Sequence, residues 1–243
     1  MKVLLFPTCL VERAGKKIRN STILLLENLG HEVLTVSHST CCGQIAFNMG
    51  DWDEARKMAR FWIETYLMRN DFDAIVSPSG SCVHMIRHNL PLLFAEDPEI
   101  KSILEEKLPL VFEIVEFIFH NGQQNEIEAY FPHTVTYHPS CHYLRGLKIK
   151  DKPRILLSNV RGLRLVKMEK EEMCCGFGGL FSIKMNKISA AIASRKAEYI
   201  EQSGAEYVTT PDLSCMLNLE GILRRKGSPV KVIHITEILT SGY

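Results

Sequence analysis

Eight cysteines fall into two groups of four, Cys9, Cys41, Cys42 and Cys82, then Cys141, Cys174, Cys175 and Cys215. Position by position, the second group lies 132, 133, 133 and 133 residues after the first. Thiols held in register through a duplication, an adjacent pair included, read as two copies of a metal-binding apparatus. Bystander cysteines pack as small hydrophobes and have no need of a matched spacing. A disulfide framework is disfavoured, because 243 residues with 46% hydrophobic content bury an ordinary core without covalent staples.

Four thiolates per half could close a tetrahedral zinc site, but structural zinc sites usually take cysteines two to four residues apart, and the sequence has no C-x2-C. Adjacent side chains diverge, so a single ion gathers both sulfurs poorly. Several irons bridged by sulfide offer separate coordination points, which favours an iron-sulfur cluster of the 4Fe-4S type, with one or two in the chain and zinc as the alternative metal. A thiol-disulfide redox protein without a cluster is the remaining alternative.

The elements that must bring these thiols together alternate between strand and helix. Apolar runs at 3–6, 31–36 and 74–76 read as strands, with helical periodicity over 18–29 and 52–68 and a further helix beginning across 82–90. The second half repeats the order with strands at 134–137, 163–166 and 207–209, helices at 153–160 and 182–202, and a further helix opening at Cys215. A strand is expected at 230–235, and a helix over 104–120 joining the halves. The chain therefore reads as α/β, two pseudo-symmetric Rossmann-like halves with parallel sheets, residues 1–128 and 129–243, each carrying one cysteine motif. Cys9, Cys82, Cys141 and Cys215 each closely follow an expected strand, and each adjacent pair lies in a turn before a helix. All eight then sit at the carboxyl edge, where open parallel sheets place ligands and where helix N-termini favour thiolate.

Bulk properties exclude several function classes. With 29 basic against 28 acidic residues there is no electrostatic case for nucleic acid or anionic lipid. The opening apolar run is too short for a signal peptide before Pro7, and the stretch 108–119 is interrupted by Glu113 and Glu116, so no transmembrane segment is expected and the cytoplasm is the default location.

The doubled Cys-Cys-Gly, Cys41-Cys42-Gly43 and Cys174-Cys175-Gly176, with a cysteine about thirty residues before and a Ser-Cys about forty after, resembles the cysteine-rich CCG domain. That domain occurs in heterodisulfide reductase and in the iron-sulfur subunit of glycolate oxidase. The segments Phe6-Pro-Thr-Cys-Leu-Val11, Ser77-Pro-Ser-Gly-Ser-Cys82, Cys174-Cys-Gly-Phe-Gly-Gly179, Phe181-Ser-Ile-Lys-Met185 and Val230-Lys-Val-Ile-His-Ile235 are most similar to the lactate utilization protein A family. The resemblance spans nearly the whole chain. It implies an iron-sulfur electron-transfer subunit of a cytosolic system that oxidises L-lactate to pyruvate, with a second iron-sulfur protein and a small subunit as partners. It also implies clusters on the eight cysteines. The wider family often ends each motif in C-x-x-C. Here the first of those positions is Ser79 in one half and Asp212 in the other, so each site is one thiolate short of the five-cysteine pattern. Ser79 or Asp212 could supply an oxygen ligand in its place, or the cluster could take four thiolates.

An iron-sulfur centre moves single electrons, and two in one chain suggest a relay. Gly43 and Gly176 are read as cofactor-binding, giving close backbone approach and amide donors, although ordinary turn glycines would look the same. His138 and His142 flank Cys141 and could ligate or hydrogen-bond sulfur. The matching positions Phe6 and Leu10 favour instead a partly buried polar rim. His84 and His88 stand at helical spacing but have no third ligand in pattern, which favours a solvated face. The glycine run 176–179 lacks a phosphate-loop fingerprint.

Overall fold

The computed structural model describes residues 1–242, and the chain divides into two compact units, Met1–Phe117 and the remainder from Ile118. Each unit is built on a four-stranded parallel sheet. In the first, strands β1 (Lys2–Leu5), β2 (Glu32–Leu34), β3 (Ala74–Ser77) and β4 (Val111–Glu113) lie in the order β2-β1-β3-β4. In the second, β5 (Thr134–Tyr137), β6 (Arg164–Val166), β7 (Tyr207–Thr210) and β8 (Lys231–His234) lie in the order β6-β5-β7-β8. The two orders are the same permutation, as a duplication requires.

Burial explains which segments take the central places. Val3, Leu4, Leu5, Ile75 and Val76 are fully buried, and β3 is buried along its whole length, as expected of a parallel strand covered on both faces. The edge strands β2 and β6 share an exposed-to-intermediate pattern. Register is set at Leu4 against Leu34 and Ile75 in the first sheet, and at Thr136 against Val166 and Val208 in the second. Parallel neighbours cannot be joined by hairpins, so helices such as Lys16–Asn28 and Asn186–Gln202 carry the chain back between strands. Gly30, at φ +80°, ends the first of these.

Two expected elements are corrected. The single helix over 104–120 is instead a helix at Pro98–Lys107, a short 3-10 turn at Leu108–Leu110, strand β4, and a helix at Ile114–His120. Pro109 lacks the amide a continuing helix needs, and the apolar run after it becomes the fourth strand of the first sheet. Glu113, fully buried at the end of β4, accepts from the Val115 and Glu116 amides at 2.7 and 3.3 Å and so starts the following helix. His234 does the same work after β8, where Glu237 returns the bond to its backbone amide at 3.1 Å. The expected helix over 182–202 breaks at Met185 into Phe181–Lys184 and Asn186–Gln202.

Candidate metal centres

The carboxyl ends of the strands present the thiols. In the first unit, Cys9 opens the helix Cys9–Ala14 just beyond β1, Cys41 and Cys42 occupy the loop between β2 and the helix Gln44–Met49, and Cys82 lies in the helix Gly80–His84 beyond β3. In the second, Cys141 directly follows the loop after β5, Cys174 and Cys175 lie in the loop after β6, and Cys215 lies in the helix Leu213–Arg225 beyond β7. Distances in sequence of up to 74 residues are cancelled by topology.

All eight cysteines are free, and within each unit their sulfurs converge. Cys42 Sγ lies 3.5 Å from Cys82 Sγ, and Cys41 hydrogen-bonds to both Cys42 and Cys9. In the second unit Cys175 Sγ lies 3.2 Å from Cys215 Sγ, and Cys174 bonds to both Cys141 and Cys175. These separations are well beyond the roughly 2.0 Å of a disulfide. Each quartet is a chain of touching thiols with the first cysteine of the adjacent pair between two neighbours.

The electrostatics follow from that arrangement. The Cys42 and Cys9 thiols and the Gly43 amide all donate toward Cys41, and hold it well below the usual thiol range. Cys174 is lowered in the same way by Cys141, Cys175 and the Gly176 amide. The donors shift the opposite way: hydrogen bonding to Cys41 and burial push Cys9 upward, and Cys141 is raised by Cys174 and burial likewise. Cys41 and Cys174 are therefore the thiols in each quartet that ionise most readily, and a metal that binds there displaces the thiol protons.

Gly43 and Gly176 are positioned by more than turn geometry. The Gly43 amide donates to Cys41 Sγ at 3.5 Å and the Gly176 amide to Cys174 Sγ at 3.3 Å. Both have positive φ, +82° and +89°. A Cβ on Gly43 would meet the Ala55 carbonyl oxygen at 3.2 Å, and one on Gly176 the Ser189 carbonyl oxygen at 2.7 Å. The loops are tied down by side chains: Gln44 Nε2 donates to the Ser81 carbonyl at 3.1 Å, Asn218 Nδ2 to the Cys175 carbonyl at 2.8 Å, and Ser189 Oγ to the Gly176 carbonyl at 2.8 Å.

The structure corrects one reading and adds another. His138, expected on a polar rim, is fully buried, with neither ring nitrogen hydrogen-bonded. Among the described residues it forms a group with Cys175 and Cys215 whose ligand atoms lie within 4.8 Å of one another. Burial, with the Lys196 charge second, pushes its pKa down to about 3, so the imidazole is neutral at neutral pH. Lys196, which sequence reasoning passed over, is also fully buried, and its Nζ donates to the carbonyls of Lys170 at 3.3 Å and Glu171 at 2.7 Å on the loop leading to Cys174. The available signal was its position beside Ala193, Ala197 and Ile200 on the apolar face of its helix.

The remaining candidates fall as follows. Ser79 and Asp212 are the N-cap residues of the helices that carry Cys82 and Cys215. The Ser79 hydroxyl lies 3.2 Å from that of Ser81, and Asp212 Oδ1 accepts from the Ser214 hydroxyl at 2.7 Å. His142 Nδ1 is 3.7 Å from Cys141 Sγ. His84 and His88 lie ring against ring, centroids 4.8 Å apart, and join no three-residue ligand group among the described residues. No helix among those residues is long and apolar enough to cross a membrane.

Comparison with known proteins agrees with this geometry. The cysteine-rich CCG domain model matches twice, over residues 3–87 and 135–220, one match per unit. The chain is 42% identical to lactate utilization protein A of an Exiguobacterium species, covering 99% of this chain and 97% of that one. It is 38% identical to the protein of the same name from Bacillus cytotoxicus, covering 99% of each. Among solved structures, an aspartate racemase homologue from Pyrococcus horikoshii is similar at a TM-score of 0.36 and 15% identity, covering 98% of this chain and 94% of that one, a likeness too slight to bear on function.

Proposed function

Because the chain belongs to the lactate utilization protein A family of cysteine-rich CCG-domain proteins, we propose that it is the iron-sulfur electron-transfer subunit of a system that oxidises L-lactate to pyruvate. The observation that carries this reading is the convergence of four sulfurs in each unit, drawn from three strand ends, one of which supplies the adjacent pair. Cys9, Cys41, Cys42 and Cys82 would hold one centre and Cys141, Cys174, Cys175 and Cys215 the other. Four soft thiolates per unit fit the ligand demand of a 4Fe-4S cluster without a fifth cysteine. Ser79 and Asp212 are engaged by neighbouring serines and are not needed to complete the count.

When bound, such a cluster supplies reversible one-electron storage. The chain's own residues supply the rest. The Gly43 and Gly176 amides donate to thiolate sulfur and spread its negative charge, and buried Cys42, Cys175 and Cys215 keep water from part of each quartet. The convergent groups are thiols suited to holding metal rather than to taking hydride or proton from lactate, so the chemistry on the substrate belongs to other iron-sulfur and small subunits of the system, and this chain passes on the electrons.

A second reading is favoured by one observation. Two thiolates on one tetrahedral ion stand about 3.8 Å apart, and Cys42 Sγ and Cys82 Sγ, at 3.5 Å, and Cys175 Sγ and Cys215 Sγ, at 3.2 Å, come near that spacing, so each pair could seat a zinc ion. That protein would be a metal-stabilised interaction module. The substrate assignment is tested in the organism. Removing the gene should abolish growth on L-lactate while leaving growth on pyruvate intact, and undiminished growth on L-lactate would contradict the assignment.

A further inference from the structure

The two centres are not electrostatic copies of each other. In the first unit Phe6, three residues before Cys9, packs edge-on against Trp62 with ring centroids 5.6 Å apart. Its counterpart three residues before Cys141 is His138. The counterpart of Trp62 follows from the helix packed under each Cys-Cys-Gly turn. That helix approaches Gly43 through Ala55 and Met58, and approaches Gly176 through Ser189 and Ile192, a displacement of 134 residues at both points. The same displacement carries Trp62 onto Lys196, and both are fully buried. An aromatic pair at these two positions of the first unit is thus replaced by an imidazole and a lysine in the second.

We propose that the second unit holds the centre of higher reduction potential, and that His138 and Lys196 set it apart by stabilising added negative charge on the sulfurs of Cys174, Cys175 and Cys215. This rests on the iron-sulfur reading above. Added electrons raise the negative charge of a cluster and its thiolates, so a nearby cation or N–H donor favours the reduced form. Lys196 interacts electrostatically with the sulfurs of Cys175, Cys215 and Cys174. Its Nζ donates to the carbonyls of Lys170 and Glu171, as an ammonium group does. Its low-dielectric position makes its charge weigh more than surface charges do. The acidic residues nearby oppose it: Glu171 is paired with Arg154 at 2.6 Å, Glu169 and Glu172 are exposed, and Asp212, buried where the first unit has Ser79, accepts from the Ser214 hydroxyl at 2.7 Å. His138 presents a buried ring, neither nitrogen hydrogen-bonded, beside Cys175 and Cys215. Phe6 and Trp62 carry no charge: their rings pack edge-on, and the Trp62 indole N–H is buried without a hydrogen-bond partner.

The test is a potentiometric titration of the anaerobically reconstituted full chain, followed by electron paramagnetic resonance. Cys41→Ser and Cys174→Ser, each sparing one quartet, assign the signals. The centre left in Cys41→Ser should titrate at the more positive potential. His138→Phe and Lys196→Met should each lower that potential, shifting the oxidised-to-reduced ratio about tenfold at fixed potential, about 59 mV for a one-electron couple, and should leave the other centre in place. Should His138→Phe fail to fold, Lys196→Met reads the same quantity. Equal potentials in the two units, a lower potential in the second, or no downward shift in a variant that retains its cluster overturns the inference while leaving the iron-sulfur reading intact. A wild-type chain that takes up no iron and sulfide overturns both.

Discussion

Replacing Cys174 with serine is expected to abolish the centre of the second unit and leave that of the first, so that iron and visible absorbance fall to about half of the wild-type values. Cys174 stands between Cys141 and Cys175 in the chain of touching thiols. It accepts from Cys141, Cys175 and the Gly176 amide, which hold it below the usual thiol range. A serine hydroxyl ionises far less readily and offers a hard oxygen where soft sulfur is wanted. The first quartet draws all four of its sulfurs from its own unit and should be untouched. Iron analysis with the paramagnetic resonance of the reduced protein reads the outcome. Loss of all the iron would mean that the eight thiols serve one shared centre, and no loss would remove Cys174 from the ligand set.

Gly176→Ala should destabilise the second unit by about 2–4 kcal/mol, measured by urea denaturation of the metal-free protein. Two costs add. A non-glycine residue at φ +89° is strained, and the new methyl would stand 2.7 Å from the Ser189 carbonyl oxygen, a backbone atom that cannot swing aside. Relief requires the Cys-Cys-Gly turn to lift off its helix, which would also break the Ser189 bond to the Gly176 carbonyl. Gly43→Ala meets the Ala55 carbonyl oxygen at 3.2 Å, so its cost should be nearer 1–2 kcal/mol. Equal and small effects at both glycines would show that the turns are slack and that close packing does not fix the amides on sulfur.

The candidate site was largely legible because cysteine spacing survives any uncertainty about where strands begin. Thiols placed just after β1, β3, β5 and β7, and in the turns after β2 and β6, reach one sheet edge whichever residue ends each strand. The second sheet's edge strand β8 was readable from the alternation in Val230-Lys-Val-Ile-His-Ile235, whereas its counterpart β4 was hidden. The run through Leu110, Val111, Phe112, Ile114 and Val115 is almost continuously apolar, which fits a buried helix and a buried strand alike, and only Pro109 marked the break.

His138 was misjudged for a different reason. Comparing the halves by cysteine register sets a histidine against Phe6, and a phenylalanine argues for packing rather than for a role at sulfur. Lys196 was invisible to the same comparison, because the helix register differs by one residue from the cysteine register, and alignment at 133 sets it against Ile63 rather than Trp62. Periodicity alone does not show a lysine folding into a core to reach the carbonyls of Lys170 and Glu171. Tertiary packing supplies that information, and here it separates the two halves that the cysteines make look alike.

Whether each quartet of thiols holds an iron-sulfur cluster is read from the iron, acid-labile sulfide and zinc content of wild-type protein purified without oxygen. Brown protein with iron and sulfide in equal amounts, about four of each per unit, is the predicted result. Colourless protein with one zinc per unit and no sulfide would contradict it.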